Sequence, residues 1–177
     1  HPELVHCALD LCTGNGSLAT IVADYFYDAE VVASDISDDA LSVAEINLKR
    51  NHLDDRVELL KSDLFKSLGD YLGAFDLIVT NPPYVDDRRM AALAPEYKYE
   101  PSLALSGGGG GLDLVDKILR QAKHYLSDVG ILVLEMGDNR HELEDMYPDL
   151  NFNWMETLSG DGCVFVLTRA DLEDYFD

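Results

Sequence analysis

At 177 residues the chain is long enough for a single domain whose core needs no disulfide or metal to hold it. Hydrophobic residues at 47% and charged residues at 27% fit a soluble globular protein; no apolar run reaches the length of a membrane span, and the opening HPELVHCALDL lacks the basic-then-apolar layout of a signal peptide. A formal charge of -21, from 13 basic against 34 acidic residues, repels a phosphate backbone and disfavours duplex nucleic acid as a partner, and it leaves open whether the acidity is merely solvated or receives a basic protein.

The chain starts almost directly on a strand, as a piece of a longer protein would. VHCALDL (5–11) reads as that first strand, and GSLATIVADYF (16–26) as a helix with Leu18, Ile21, Val22 and Tyr25 on one apolar face. EVVAS (30–34) is a second strand. SDDALSVAEINLKRN (37–51) starts with a Ser/Asp cap and carries Ala40, Leu41, Ala44 and Leu48 at helical spacing. RVELLKSD (56–63) and FDLIVTN (75–81) are two more strands, the latter apolar throughout as a central parallel strand is. An irregular stretch, 82–111, ends in SGGGGG; a loop of that length in a compact domain is a lid or a disordered segment, and residues 85–111 are expected to order when substrate binds. Beyond it GLDLVDKILRQAKHYL (111–126) predicts a helix, GILVLEM (130–136) a strand and NRHELEDMY (139–147) a helix. FNWMETL (152–158) and CVFVLTR (163–169) are strands joined by SGDG, a connection too short for a parallel crossover, so they pair antiparallel. The alternation predicts an α/β domain: a seven-stranded, mostly parallel sheet with one antiparallel terminal strand.

Chemistry concentrates where the predicted strands end. In DLCTGNGSLA (10–19) Gly14 and Gly16 permit a tight turn, and the following helix points free N–H groups at whatever lies in it. Gly14, Gly16 and Ala19 also satisfy G-x-G-x-x-G/A, so this loop alone leaves a dinucleotide oxidoreductase open. Asp35, closing the second strand, is placed to accept from ribose hydroxyls. Asp63, closing the third, is placed to accept from an adenine amino group, with Leu64 or Phe65 against the base. After the fourth strand Asn81, Pro82, Pro83 and Tyr84 form a stiff turn whose prolines carry no N–H. Asn81 Oδ1 and the Pro82 carbonyl could hold the two hydrogens of a planar N–H2 group, with Tyr84 stacked on it or offering its π face to a cation.

NPPY after an apolar strand, with DLCTGNG upstream, resembles the S-adenosylmethionine-dependent methyltransferases of planar nitrogens, namely the HemK-type protein N(5)-glutamine methyltransferases and the adenine-amine DNA methyltransferases. EYKYEPSLALSGGGGGLDL (96–114) and GDGCVFVLT (160–168) resemble the PrmB branch of the HemK type, which methylates a glutamine in a large-subunit ribosomal protein. The resemblance implies a class I, Rossmann-like methyltransferase fold over residues 1–177 as a single catalytic domain, without the helical domain that precedes it in family members. It implies S-adenosylmethionine as cofactor and S-adenosylhomocysteine as product. Thr13, Gly14 and Gly16 would surround the methionine part, Asp35 would hold ribose, Asp63 and Leu64 would border adenine, and Asp10, Cys12, Asn15, Ile36 and Asn81 complete the expected cofactor set. Asn81, Pro82, Pro83 and Tyr84 would be the catalytic residues. Cys12 stands where the wider motif often has glycine, which crowds the loop there.

A ribosomal protein is the implied substrate, with a peptide release factor or a nucleic-acid adenine as alternatives. Cys7, Cys12 and Cys163 lack C-x-x-C or zinc spacing, and the histidines form no ligand pair, so a reducing cytoplasm and no metal are expected.

Overall fold

The computed structural model describes residues 2–83, 112–137, 139–156 and 162–177. In chain order it contains β1 (Cys7–Leu11), α1 (Ser17–Tyr25), β2 (Glu30–Asp35), α2 (Asp38–Arg50), β3 (Val57–Lys61), β4 (Phe75–Thr80), α3 (Asp113–Ala122), β5 (Leu126–Glu135), α4 (Arg140–Met146), β6 (Asn153–Met155), β7 (Val164–Thr168) and α5 (Arg169–Phe176). The strands form one seven-stranded sheet in the order β3-β2-β1-β4-β5-β7-β6. The first five are mutually parallel, and the last strand in the chain, β7, runs antiparallel to both β5 and β6, between which it inserts.

Burial on both faces explains why the central strands are apolar at successive positions. On one face Leu9, Leu11, Ile78, Leu132 and Leu134 pack in a cluster with Val115, Ile118 and Leu119 of α3 and Leu172 of α5. On the other, Ala8, Val31 and Ala33 pack with Ala19, Val22 and Ala23 of α1 and Leu48 of α2. Each fully buried Leu or Ile contributes about 1.5–3 kcal/mol relative to exposure.

Four differences from the sequence-based expectation have physical causes. The buried stripe of α1 is Ala19, Val22 and Ala23, whereas Ile21 and Tyr25 are 63% and 61% exposed. Small residues let the helix lie close to the alanines of the sheet, so the larger side chains point away. Secondly, α3 ends at Ala122 and β5 starts at Leu126, four residues before the predicted strand. Gly130, first residue of the predicted strand, sits within β5 at a close approach of backbone: a Cβ there would lie 2.5 Å from the Phe75 carbonyl oxygen, beside a register shift between Phe75 and Leu77. Thirdly, α5 was not anticipated at all. Thr168 and Asp171 form a reciprocal capping box that starts it. Finally, β6 is shorter than predicted, at Asn153–Met155.

The cap predicted for α2 is present: Ser37 Oγ accepts from Ala40 N at 3.2 Å. Asp38 and Asp39 in its first turn and Lys49 and Arg50 in its last complement the helix dipole. Most of the irregular stretch, residues 84–111, and the turn residues 157–161 lie outside the described residues. Among those described, no helix is long and apolar enough to cross a membrane.

Candidate active site

Register places the predicted site residues along one edge of the sheet. Leu11 pairs with Ser34 and with Thr80, and Ser34 pairs with Leu60, so the carboxyl ends of four parallel strands stand level. Cys12, Asp35, Asp63 and Asn81 follow this row within three residues of it. Strand order reverses between β1 and β4, the switch point at which open α/β sheets leave a crevice for ligands.

The glycine loop is held from below and from the side. Asp10 is fully buried; its Oδ2 accepts from Thr13 Oγ1 at 2.5 Å and from Ala19 N at 2.8 Å. The Thr13 hydroxyl therefore faces inward, and Thr13 N donates to the Ser34 carbonyl at 2.9 Å. Asn15 turns its side chain to Ser17, and its carbonyl accepts from Asn47 Nδ2 at 2.9 Å. Gly14 and Gly16 have φ of 56° and 80°, a region that favours glycine. A Cβ on Gly16 would meet Ala44 Cβ at 3.0 Å, whereas one on Gly14 would meet nothing within 4 Å among the described residues. Gly16 thus serves packing, and Gly14 borders open space of the kind a ligand fills.

Asp35 carries the loop on its carboxylate: Oδ2 accepts from Gly14 N and Oδ1 from Ser37 N, both at 2.9 Å. Those bonds leave further lone pairs for ribose hydroxyls. Ile36 beside it is 49% exposed. After β3, Asp63 is ion-paired with Lys66 and remains half exposed. Leu64 has φ of 49° and is half-buried, while Phe65 belongs to the core, stacked on Tyr125 with ring centroids 4.6 Å apart. Of the two apolar residues proposed against a base, only Leu64 is at the crevice. Ser62 holds this turn, and sequence reasoning missed it. Its Oγ donates to the Leu64 carbonyl at 2.5 Å and accepts from Ser67 N at 3.0 Å. The available signal was a serine just ahead of an Asp-Leu turn, a common hydroxyl-to-backbone motif.

At the end of β4, Asn81 is exposed, Pro82 buried and Pro83 half-buried. Tyr84 lies outside the described residues.

Electrostatics set this edge apart. Burial pushes Asp10 up to about 6, with the bonds from Thr13 and Ala19 pulling back and Asp35 adding to the rise. Burial likewise pushes the Cys12 thiol up to about 12, helped by Asp35, Asp10 and Asp63. Three carboxylates therefore act on one point of the crevice. Asp10 Oδ1 is buried there with no hydrogen-bond partner among the described residues. Such a field suits a cofactor carrying a cationic sulfur and an ammonium group, and it opposes the pyrophosphate of a dinucleotide. The residues present fit S-adenosylmethionine.

This is the architecture of a class I methyltransferase. The family described as "Methyltransferase small domain" matches residues 2–97, and the chain belongs to it. Among curated relatives, the chain is 50% identical over 172 residues to the ribosomal protein uL3 glutamine methyltransferase of Neisseria gonorrhoeae, with 97% of this chain and 56% of that protein covered. It is 44% identical over 173 residues to the protein of the same name from Francisella tularensis, with 98% and 54% covered. The chain spans a little over half the length of these relatives. Solved structures with the same fold include a methyltransferase from Pyrococcus furiosus, with a TM-score of 0.64 at 22% identity over 92% of this chain and 74% of that one. The N-terminal domain of human METTL16 in complex with SAH gives 0.59 at 17% identity, over 95% and 62%.

Proposed function

We propose that residues 1–177 are the catalytic domain of an S-adenosylmethionine-dependent enzyme that methylates the side-chain amide nitrogen of a glutamine in a ribosomal protein of the large subunit. One observation carries this reading: the turn Asn81-Pro82-Pro83, whose two prolines have no N–H, adjoins a carboxylate-rimmed glycine loop across the sheet's switch point. The names of the relatives, ribosomal protein uL3 glutamine methyltransferases, support glutamine as the acceptor and uL3 as the protein. The net charge of -21 favours a basic ribosomal protein over nucleic acid and so ranks the adenine-amine alternative below it. A cytoplasmic location follows from such a substrate.

When bound, S-adenosylmethionine supplies an electrophilic methyl group on a positively charged sulfur. Gly14 and Gly16 would border its methionine part, Asp35 its ribose, and Asp63 with Leu64 its adenine. Asn81 Oδ1 and the Pro82 carbonyl accept the two hydrogens of the substrate amide and fix the direction of its nitrogen lone pair. An amide nitrogen is a poor nucleophile because that lone pair is shared with the carbonyl. Two acceptor bonds draw density back toward nitrogen, and orientation alone supplies several kcal/mol. Tyr84 would pack on the flat amide. No side-chain base is required at the outset, because the nitrogen becomes strongly acidic once alkylated and its proton passes to water. On the substrate, one N–H becomes N–CH3.

Asn81→Ala tests this reading. Turnover on uL3 should fall by about a hundredfold or more, while the dissociation constant for S-adenosylhomocysteine, measured by calorimetry, stays within about twofold of wild type. Wild-type turnover in that variant contradicts the assignment.

A further inference from the structure

We propose that Thr80 is a positioning residue that locks the acceptor turn to the cofactor loop, an inference that rests on the function proposed above. Thr80 ends β4, is 2% exposed and stands level with Leu11 in the pairing of β1 with β4. Its Oγ1 donates to the Leu11 carbonyl at 2.6 Å. The next residue after Leu11 is Cys12, which has φ of 62° and opens the glycine loop. The next residue after Thr80 is Asn81. One buried hydroxyl thus ties together the two points from which the halves of the site depart.

Topology explains why a tie is needed here. Strand order runs to one side from β1 through β2 and β3, and to the other through β4 and β5. Loops leaving β1 and β4 therefore diverge, which opens the crevice but ends the backbone ladder that kept them in register. A side-chain O–H at the last paired position extends that register by one bond. The proline pair then carries the constraint forward. Asn81 precedes a proline and is confined to extended backbone, and both prolines have fixed φ. With Thr80 anchored, little freedom remains in the path from Leu11 to the Asn81 side chain. Thr80 touches neither the methyl donor nor the acceptor and acts through its neighbours.

Thr80→Val keeps the shape and strand preference and removes the O–H, while Thr80→Ser keeps the O–H and removes a methyl. Both are made in the full-length protein. The first readout is the Asn81 side-chain amide resonance, assigned by its loss in Asn81→Ala, on titration with S-adenosylhomocysteine. Wild type and Thr80→Ser should show a ligand-dependent shift, and Thr80→Val should lose it. The second is single-turnover methyl transfer to recombinant uL3 with radiolabelled S-adenosylmethionine. Thr80→Val should be at least ten times slower with cofactor affinity within twofold, and Thr80→Ser should restore the rate to within threefold. A Thr80→Val protein that keeps the shift or the rate overturns the proposal. So does one whose affinity and rate fall together, because that is a merely structural loss. If wild type binds S-adenosylhomocysteine yet transfers nothing to uL3, the proposed function fails while the resonance still decides the role of Thr80.

Discussion

Two carboxylates at opposite ends of the same sheet are treated in opposite ways. At the amino end of β4, Asp76 Oδ2 accepts from His6 N at 2.8 Å and Cys7 N at 3.2 Å, and Oδ1 accepts from Ser127 Oγ at 2.8 Å. Both oxygens are used, and the side chain ties the start of β1 and the start of β5 to β4. Near the carboxyl end of β1, Asp10 loads two donors onto Oδ2 and leaves Oδ1 buried without one among the described residues. Burial raises Asp10; at Asp76 burial also pushes upward, but the bonds from His6, Ser127 and Cys7 outweigh it and hold the carboxyl below its usual range. The amino end is therefore built to hold, and the carboxyl end carries a standing cost beside left-handed Cys12, Gly14, Gly16 and Leu64.

Substitutions can break that contrast from either side. At the carboxyl end, Gly14→Val should weaken S-adenosylhomocysteine binding by about a hundredfold, since a branched side chain is strained at this φ and fills the open space above the loop. Calorimetric titration reads it, and an unchanged affinity would mean the loop does not hold the cofactor. At the amino end, Asp76→Ala strips three donors of their acceptor and should cost about 2 kcal/mol in urea denaturation, with cofactor affinity intact. Loss of binding there in a folded variant would erase the distinction between the ends.

The two carboxylates also differ in pH dependence, with opposite signs. Asp10, raised to about 6 when folded against about 3.9 unfolded, binds more protons in the native state between those values. Its contribution to stability is full below the unfolded pKa and is lost as pH rises through 6. Asp76, lowered when folded, contributes fully above the ordinary carboxylate pKa and loses that contribution as pH falls through its folded value. Asp10→Asn should flatten the urea midpoint between about pH 4 and 6, and Asp76→Asn should flatten it only in stronger acid. Matching profiles for the two variants would contradict the contrast.

Much of this was legible in the sequence because it depends on backbone. Glycines at left-handed positions, prolines at a strand end and acidic residues closing successive strands mark the crevice wherever an α/β alternation is present. Side-chain direction was less legible. The bond from the Thr13 hydroxyl to Asp10 is one such case, fixing the side chain expected at the cofactor's methionine part. Leu64 and Phe65 looked interchangeable, and only the fold shows Phe65 committed to the core against Tyr125. The α1 stripe was misread because close helix-to-sheet contact selects alanine over larger residues. The tie from Thr80 to Leu11 joins residues 69 apart in sequence, and no local pattern encodes it.

Mass spectrometry of ribosomal protein uL3, incubated with the full-length protein and S-adenosylmethionine, tests the central claim most directly. The account predicts the added mass of one methyl group on a glutamine side chain, absent when Asn81→Ala replaces wild type. Unmodified uL3, or a methyl group on any other residue type, would contradict it.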